Sequence, residues 1–233
     1  MSRTGIIIQA RLGSTRLPAK VLVDIGGKPV LQHVIERARR IPSIDEIVVA
    51  YPYTDFAIDE LCFSIGCEAY PYYGDMDNVL DRYYQCAKSY DFENIVRITA
   101  DCPLLDPDIS DMVVSKYLNS NYDYVTNRSP MTWPDGLDTE IFSFWALMMA
   151  HQHAKTPYQK EHVTAYMYGS DSPMEWTNVP NSIDQSNHRW TLDTSEDLAW
   201  IRDIYEALGR EHFGMADIMR LIHECAWLKR ITI

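Results

Sequence analysis

No run of about 18 consecutive apolar residues occurs in this 233-residue chain, so a membrane-spanning helix is not expected. The amino end lacks the long apolar core of a secretory leader, and a cytoplasmic location is the expectation. Cysteine is scarce and unpaired in pattern. Cys62, Cys67, Cys86, Cys102 and Cys225 are odd in number and form no C-x-x-C. That argues against a disulfide frame or a zinc site and for thiols in a reducing compartment. Positive charge is also short: 21 Lys and Arg face 33 Asp and Glu, for a formal net charge of −12. A general nucleic-acid partner or an acidic membrane surface would reward the opposite balance. Neither G-x-x-x-x-G-K-[ST] nor G-x-G-x-x-G is present, and there is no internal repeat or low-complexity segment.

Against that acidic background one basic segment stands out. The apolar run Gly5–Gln9 (GIIIQ) reads as a buried strand and leads directly into Ala10-Arg11-Leu12-Gly13-Ser14-Thr15-Arg16-Leu17-Pro18-Ala19-Lys20. Arg11, Arg16 and Lys20 follow one another at intervals of five and four, which no single helix or strand face needs. A loop wrapped around a polyanion would use that spacing. Its free backbone N–H groups and three cations suit the phosphates of a nucleotide.

The first half of the chain alternates strand and helix signals. Strands are expected at Ile6–Ile8, Glu46–Ala50, Glu68–Tyr72, Asn94–Thr99 and Tyr122–Thr126. Helices are expected from Pro29 to Arg40, Asp55 to Ile65, Asp77 to Tyr90 and Asp108 to Leu118, with Gly26-Gly27 as a turn and Pro29 in the first helical turn. This alternation predicts an α/β fold: a mostly parallel sheet with helices on both faces. Ligands of such sheets collect at the carboxyl ends of the strands. Three polar clusters sit just past strand ends: 10–20, Gly74–Asn78 and Ala100–Pro103. One pocket would gather them.

After Asn127 the texture changes. Ser129–Leu137 reads as a loop, Glu140–Ala150 as weak alternation turning helical, Glu161–Tyr168 as a strand or a helix, with helix favoured, and Glu175–Val179 as a strand. Arg189–Leu192 reads as a short apolar strand before a helix that Thr194–Asp197 caps. At 46% hydrophobic residues the chain can bury one full core, so residues 1–233 are expected to form a single domain, with 127–187 as a small lobe.

The wording of residues 7–38, IIQARLGSTRLPAKVLVDIGGKPVLQHVIERA, resembles the sugar-acid cytidylyltransferases, the ketodeoxyoctonate and acylneuraminate enzymes among them. The branch it most resembles is that of the spore-coat polysaccharide biosynthesis proteins. The resemblance covers nearly the whole chain and is strongest in 5–40 and 74–107. It implies a Rossmann-like, GT-A-like nucleotidyltransferase fold and CTP as a partner. It also implies Mg2+ as cofactor, a sugar or sugar-acid acceptor and a homodimer.

It also implies roles residue by residue. Ala10, Arg11, Gly13, Ser14, Thr15, Arg16 and Lys20 would hold the triphosphate, with Arg16 and Lys20 neutralising the leaving pyrophosphate. Asp101 and Asp193 would hold the metal; each also fits the plainer role of a helix cap. This chain has Ala100 and Ser195 where many relatives have Gly and Pro, and neither change removes a ligand. Asp75, Asp77 and Asn78 would face base and ribose, or else cap a helix. Asp138, Glu140, Glu161, His162 and Arg189 would line the acceptor site in the lobe, where the resemblance also puts dimer contacts; His162 also suits a structural pair with its neighbouring glutamate, and Arg189 a salt bridge. Cys102, beside Asp101, is the cysteine whose reactivity matters.

The reaction these parts suit is in-line attack of an acceptor hydroxyl on the α-phosphorus, for which alignment and charge neutralisation suffice. No Ser-His-Asp set is evident, and no D-x-D stands directly after the NIVRIT strand, where Ala100-Asp101-Cys102-Pro103 follows, as a glycosyltransferase would want. Two other readings remain open from sequence. One is a nucleotidyltransferase for another base or a phosphorylated non-sugar acceptor. The other is an idle nucleotide- or partner-binding protein on the same fold.

Overall fold

Three consecutive isoleucines in the first strand, Ile6, Ile7 and Ile8, all have 0% exposure. A strand buried on both faces has no reason to alternate, and its side chains must feed two cores at once. The computed structural model, which describes residues 2–210, 212–225 and 228, shows this. Strand β1 (Thr4–Gln9) sends Ile6 and Ile8 to one face and Ile7 to the other. Helix α1 (Val30–Ala38), α2 (Phe56–Ser64) and α4 (Pro107–Leu118) cover the first face. Helix α3 (Val79–Ser89) and α5 (Phe144–His153) cover the second.

The sheet has seven strands. Besides β1 they are β4 (Glu46–Pro52), β5 (Glu68–Tyr72), β6 (Asn94–Thr99), β7 (Tyr124–Thr126), β8 (Glu140–Ser143) and β9 (Trp176–Asn178). Their order is β5-β4-β1-β6-β8-β7-β9. Strand β1 runs parallel to β4 and β6, β4 to β5, and β7 to β9. Strand β8 alone is reversed, antiparallel to both β6 and β7. That reversal puts the amino end of β8 beside the carboxyl end of β6, with Glu140 opposite Arg97. The loop before β8 therefore opens onto the same sheet edge as the loops after β1 and β6. Residues 127–187 supply β8 and β9 to this sheet, with α5 and α6 (Pro157–Glu161).

Three glycines do local work. A side chain at Gly5 would overlap the Phe92 ring, which lies directly over β1. Gly26 and Gly27, at φ 59 and 90, turn a two-stranded ribbon of β2 (Asp24–Ile25) and β3 (Lys28–Pro29). Pro29 consequently stays extended and precedes α1, which begins at Val30, one residue later than the sequence suggests. Helices α3 and α4 are capped by Asn78 and Asp106, and α7 (Ser195–Leu208) by a reciprocal Thr194–Asp197 box. Helix α8 (Met215–Glu224) packs with α7 in a third core around Trp190, Leu192, Ile201 and Ile218.

Two sequence expectations are corrected. Glu161–Tyr168 is not a helix: α6 ends at Glu161, and Val163 at φ 37 breaks the chain into turns. Arg189–Leu192 is extended but forms only an isolated bridge, Arg189 with Asp135, because Asp135 accepts Trp190 N–H at 2.7 Å and donates to His188 O at 2.9 Å. Among the described residues no helix is long and apolar enough to cross a membrane.

Candidate functional site

Where β1 ends, the chain leaves the sheet and returns as a closed loop. Ala10 N–H donates to Ala50 O at 3.1 Å and Leu12 N–H to Asp55 Oδ2 at 2.7 Å. Leu12 O accepts Ala19 N–H at 3.1 Å, and Ala19 sits at φ 52. The left-handed turn at Ala19 delivers Lys20 inward rather than to solvent. Where β6 ends, Asp101 O accepts Leu192 N–H at 2.9 Å, which lays the 189–193 segment alongside.

The three segments meet at a cavity of ≈ 560 Å³. Ala10, Arg11, Gly13, Ser14, Thr15, Arg16 and Lys20 line one wall, and Asp101, Cys102 and Asp193 lie on another. Arg128, Asp135, Asp138, Glu161 and His162 complete it. A second hollow of ≈ 300 Å³ lies at the amino end of β4, among Arg39, Asp45, Glu46 and Cys67, and holds no sequence-predicted site residue.

The centre of the larger cavity is an ion cluster. Lys20 Nζ donates to Asp101 Oδ2 at 2.6 Å, Asp193 Oδ1 at 2.8 Å and Leu192 O at 2.9 Å. Arg16 Nη2 lies 3.1 Å from the same Asp193 oxygen. Burial pulls the Lys20 pKa down, but the Asp101 and Asp193 carboxylates outweigh it and raise it above the ordinary lysine value. Burial pushes Asp101 up, and Lys20 more than reverses that.

The far wall is acidic and less well compensated. Asp138 lies 3.3 Å from Arg128. Burial pushes its pKa to about 7, with Asp135 and Glu140 adding to the rise and Arg128 and Arg97 opposing it. Asp135 is raised as well, by burial first and then by Asp101 and Asp193, against Arg128 and Arg189. Burial raises the Cys102 thiol well above its ordinary value, so Cys102 is a neutral wall residue rather than a thiolate.

Several predicted residues lie elsewhere. Glu140 is 2% exposed and fully engaged. One oxygen pairs with Arg97 and the other accepts Tyr124 OH at 2.6 Å and Thr164 Oγ1 at 2.7 Å. It is a buried counter-ion, not an acceptor-binding group. Arg189 is absent from the cavity wall because it pairs with the fully buried Asp197. Asp197 also accepts the N–H groups of Asp193 and Thr194 at 2.8 Å each, and Arg189 Nη1 lies 3.7 Å from Asp193 Oδ2, so Arg189 acts on the site through this scaffold and through the Asp193 carboxylate. Asp75, Asp77 and Asn78 do not line the cavity: Asp75 accepts Asp77 N–H at 3.0 Å and Asn78 caps α3 by accepting Asp81 N–H at 3.2 Å. Asp77 does reach within 3.8 Å of Arg11. The His162 ring packs on Tyr158 at 4.3 Å.

Arg97, Arg128 and Asp135 are cavity residues not singled out from sequence. Arg97 had a readable signal, a lone charge inside the apolar strand NIVRIT, which demands a buried partner. Its Nε has no hydrogen-bond partner among the described residues. Arg128 and Asp135 lie in an irregular loop and carried no such signal.

A family model described as cytidylyltransferase matches residues 5–208. The chain is 28% identical over 229 residues to the spore coat polysaccharide biosynthesis protein SpsF of Bacillus subtilis, covering 93% of this chain and 92% of that one. It is 36% identical over 114 residues to the 3-deoxy-manno-octulosonate cytidylyltransferase of Trichlorobacter lovleyi, covering 49% of this chain and 44% of that one. The solved structure of a cytidylyltransferase from Leptospira borgpetersenii superposes with a TM-score of 0.92 at 30% identity, over 100% of this chain and 98% of that one. The chain belongs to the cytidylyltransferase family and is a CTP-dependent nucleotidyltransferase.

Proposed function

We propose that the enzyme transfers CMP from CTP to the hydroxyl of a sugar or sugar-acid acceptor, releases pyrophosphate, and depends on Mg2+. Its product would serve surface polysaccharide or glycoconjugate synthesis. The observation that carries this reading is the meeting of Lys20, Asp101 and Asp193 in one cavity that Arg11 and Arg16 also line.

The donor set fits a hard divalent cation. Asp101 and Asp193 present carboxylate oxygens to one point, since a single ammonium bonds both. Among the described residues no cluster of three or more metal-ligating side chains exists. Two carboxylates suffice for magnesium, which takes its other ligands from water and phosphate. Bound there, the ion would lower the charge on the phosphates and polarise the attacking hydroxyl. The protein's own groups do the rest. Arg11 and Arg16 balance the charge of the β- and γ-phosphates, and the N–H groups of Gly13, Thr15 and Arg16, beside the internally bonded ones of Leu12, Ser14 and Leu17, are the loop donors that would meet them. Arg128 would meet the carboxylate of a sugar acid, and Asp135, Asp138 and Glu161 would accept from its hydroxyls.

The test is pyrophosphate release with CTP, UTP, ATP and GTP against a panel of 2-keto-3-deoxy sugar acids and neutral sugars, with and without Mg2+. CTP with Mg2+ and a sugar acid should give turnover. Turnover with neutral sugars alone overturns the acid part of the assignment, and equal rates without divalent cation overturn the metal.

A further inference from the structure

An ammonium has three N–H donors and no acceptor. All three donors of Lys20 are committed, to Asp101 Oδ2, Asp193 Oδ1 and Leu192 O, at 2.6, 2.8 and 2.9 Å. The Lys20 side chain is 15% exposed and those of Asp101 and Asp193 are 28% and 23%, so these contacts are partly shielded from water. Arg16 reinforces it at 3.1 Å from Asp193. These are the two carboxylates that the reading above gives to the metal, and the present inference rests on that reading.

One point between two carboxylates holds one cation. Lys20 Nζ occupies the space between the two carboxylates that would hold a divalent ion, and two cations there would repel each other. The ammonium leaves only if another anion receives it. Lys20 closes the loop whose other cations, Arg11 and Arg16, line the same cavity, so a nucleotide triphosphate seated there offers that anion.

We propose that Lys20 is a stand-in cation: it holds Asp101 and Asp193 together and excludes divalent metal until a triphosphate draws it away. Metal and nucleotide then enter together, and each promotes the other by the same factor. The pairing also keeps two carboxylates from facing each other uncompensated in the empty enzyme, so the site is built before substrate arrives. Lys20 is thus a positioning residue before it is a phosphate ligand.

The experiment is Mn2+ binding to the full chain, read from the electron paramagnetic resonance signal of free Mn2+, with and without CTP and with no acceptor present. Wild type should bind Mn2+ weakly alone and take it up with CTP beyond what CTP binds in solution. Lys20→Met should bind Mn2+ without CTP about ten-fold or more tightly than wild type, since a unit charge at contact distance has gone. Adding Asp101→Asn to Lys20→Met should abolish that gain. Lys20→Gln, which keeps a donor on a side chain one atom shorter and carries no charge, gives the same reading if circular dichroism shows the Met variant unfolded. If wild type takes up Mn2+ with CTP but neither Lys20 variant gains affinity without it, the stand-in role is wrong and the metal assignment survives. A gain that persists without Asp101 also overturns the role. If wild type takes up no Mn2+ even with CTP, both fall.

Discussion

Arg189 and Asp197 form a buried ion pair whose carboxylate also accepts the backbone N–H groups of Asp193 and Thr194. One side chain therefore fixes the entry to α7, balances a guanidinium and sets the position of Asp193. Asp197→Asn keeps the shape but leaves Arg189 only the longer contact to Asp193 at 3.7 Å, and breaking a buried pair from one side costs about 3–5 kcal/mol. The expected outcome is a large fall in thermal midpoint together with weaker divalent-cation binding in the protein that remains folded. A variant with wild-type midpoint and metal affinity would show that the pair positions nothing.

Glu140 separates two roles cleanly. A residue that holds the acceptor raises the acceptor KM when changed and leaves stability alone. A buried counter-ion does the reverse. Arg97, Tyr124 and Thr164 occupy both Glu140 oxygens. Glu140→Gln should therefore cost about 3–5 kcal/mol in urea unfolding. The acceptor KM, measured at a temperature where the variant is folded, should change little. Pairing it with Arg97→Met should recover part of the loss, because no buried charge is then left without a partner.

The strand and loop that open the chain were readable because each is local physics. GIIIQ is apolar at successive positions, and a strand buried on both faces looks like that. Asp101 and Asp193 were each visible at the end of an apolar segment, yet nothing in the spacing said that they meet. They meet because Leu192 donates to Asp101 O, a bond across about ninety residues, while Asp197 holds the next turn locally. The reversal of β8 was equally invisible, since a four-residue strand reads alike in either direction. That reversal is what brings Arg128, Asp135 and Asp138 to the cavity and buries Glu140 against Arg97. Family resemblance put Asp138 and Glu140 in one site. The register of β8 assigns one to the cavity and the other to the core.

Gly5 gives a test of the core that is independent of chemistry. Any Cβ at this position overlaps the Phe92 ring. Gly5→Ala should destabilise by about 1–3 kcal/mol, the usual cost of overpacking. Phe92→Leu in the same chain should return part of it, because the smaller side chain vacates the space. A Gly5→Ala protein as stable as wild type would mean that the ring moves freely, and that the contact does not hold β1 against this face.

The Asp138 carboxyl gives the enzyme a pH signature whose sign follows from linkage. Its pKa in the folded chain is about 7 against 3.8 for the free side chain, chiefly through burial. Between these values the folded state holds a proton that the unfolded state has released, so this group makes the protein less stable as pH rises. Below about 4 both states are protonated and the penalty vanishes; above about 7 it is fully present. Asp138→Asn removes the titration. Its thermal midpoint relative to wild type should climb as pH rises from 4 to 7 and level off beyond. Paired melts of wild type and variant across that range measure it. A difference that stays flat, or a variant less stable at every pH, would mean that the contact with Arg128 at 3.3 Å outweighs burial and keeps Asp138 ionised throughout.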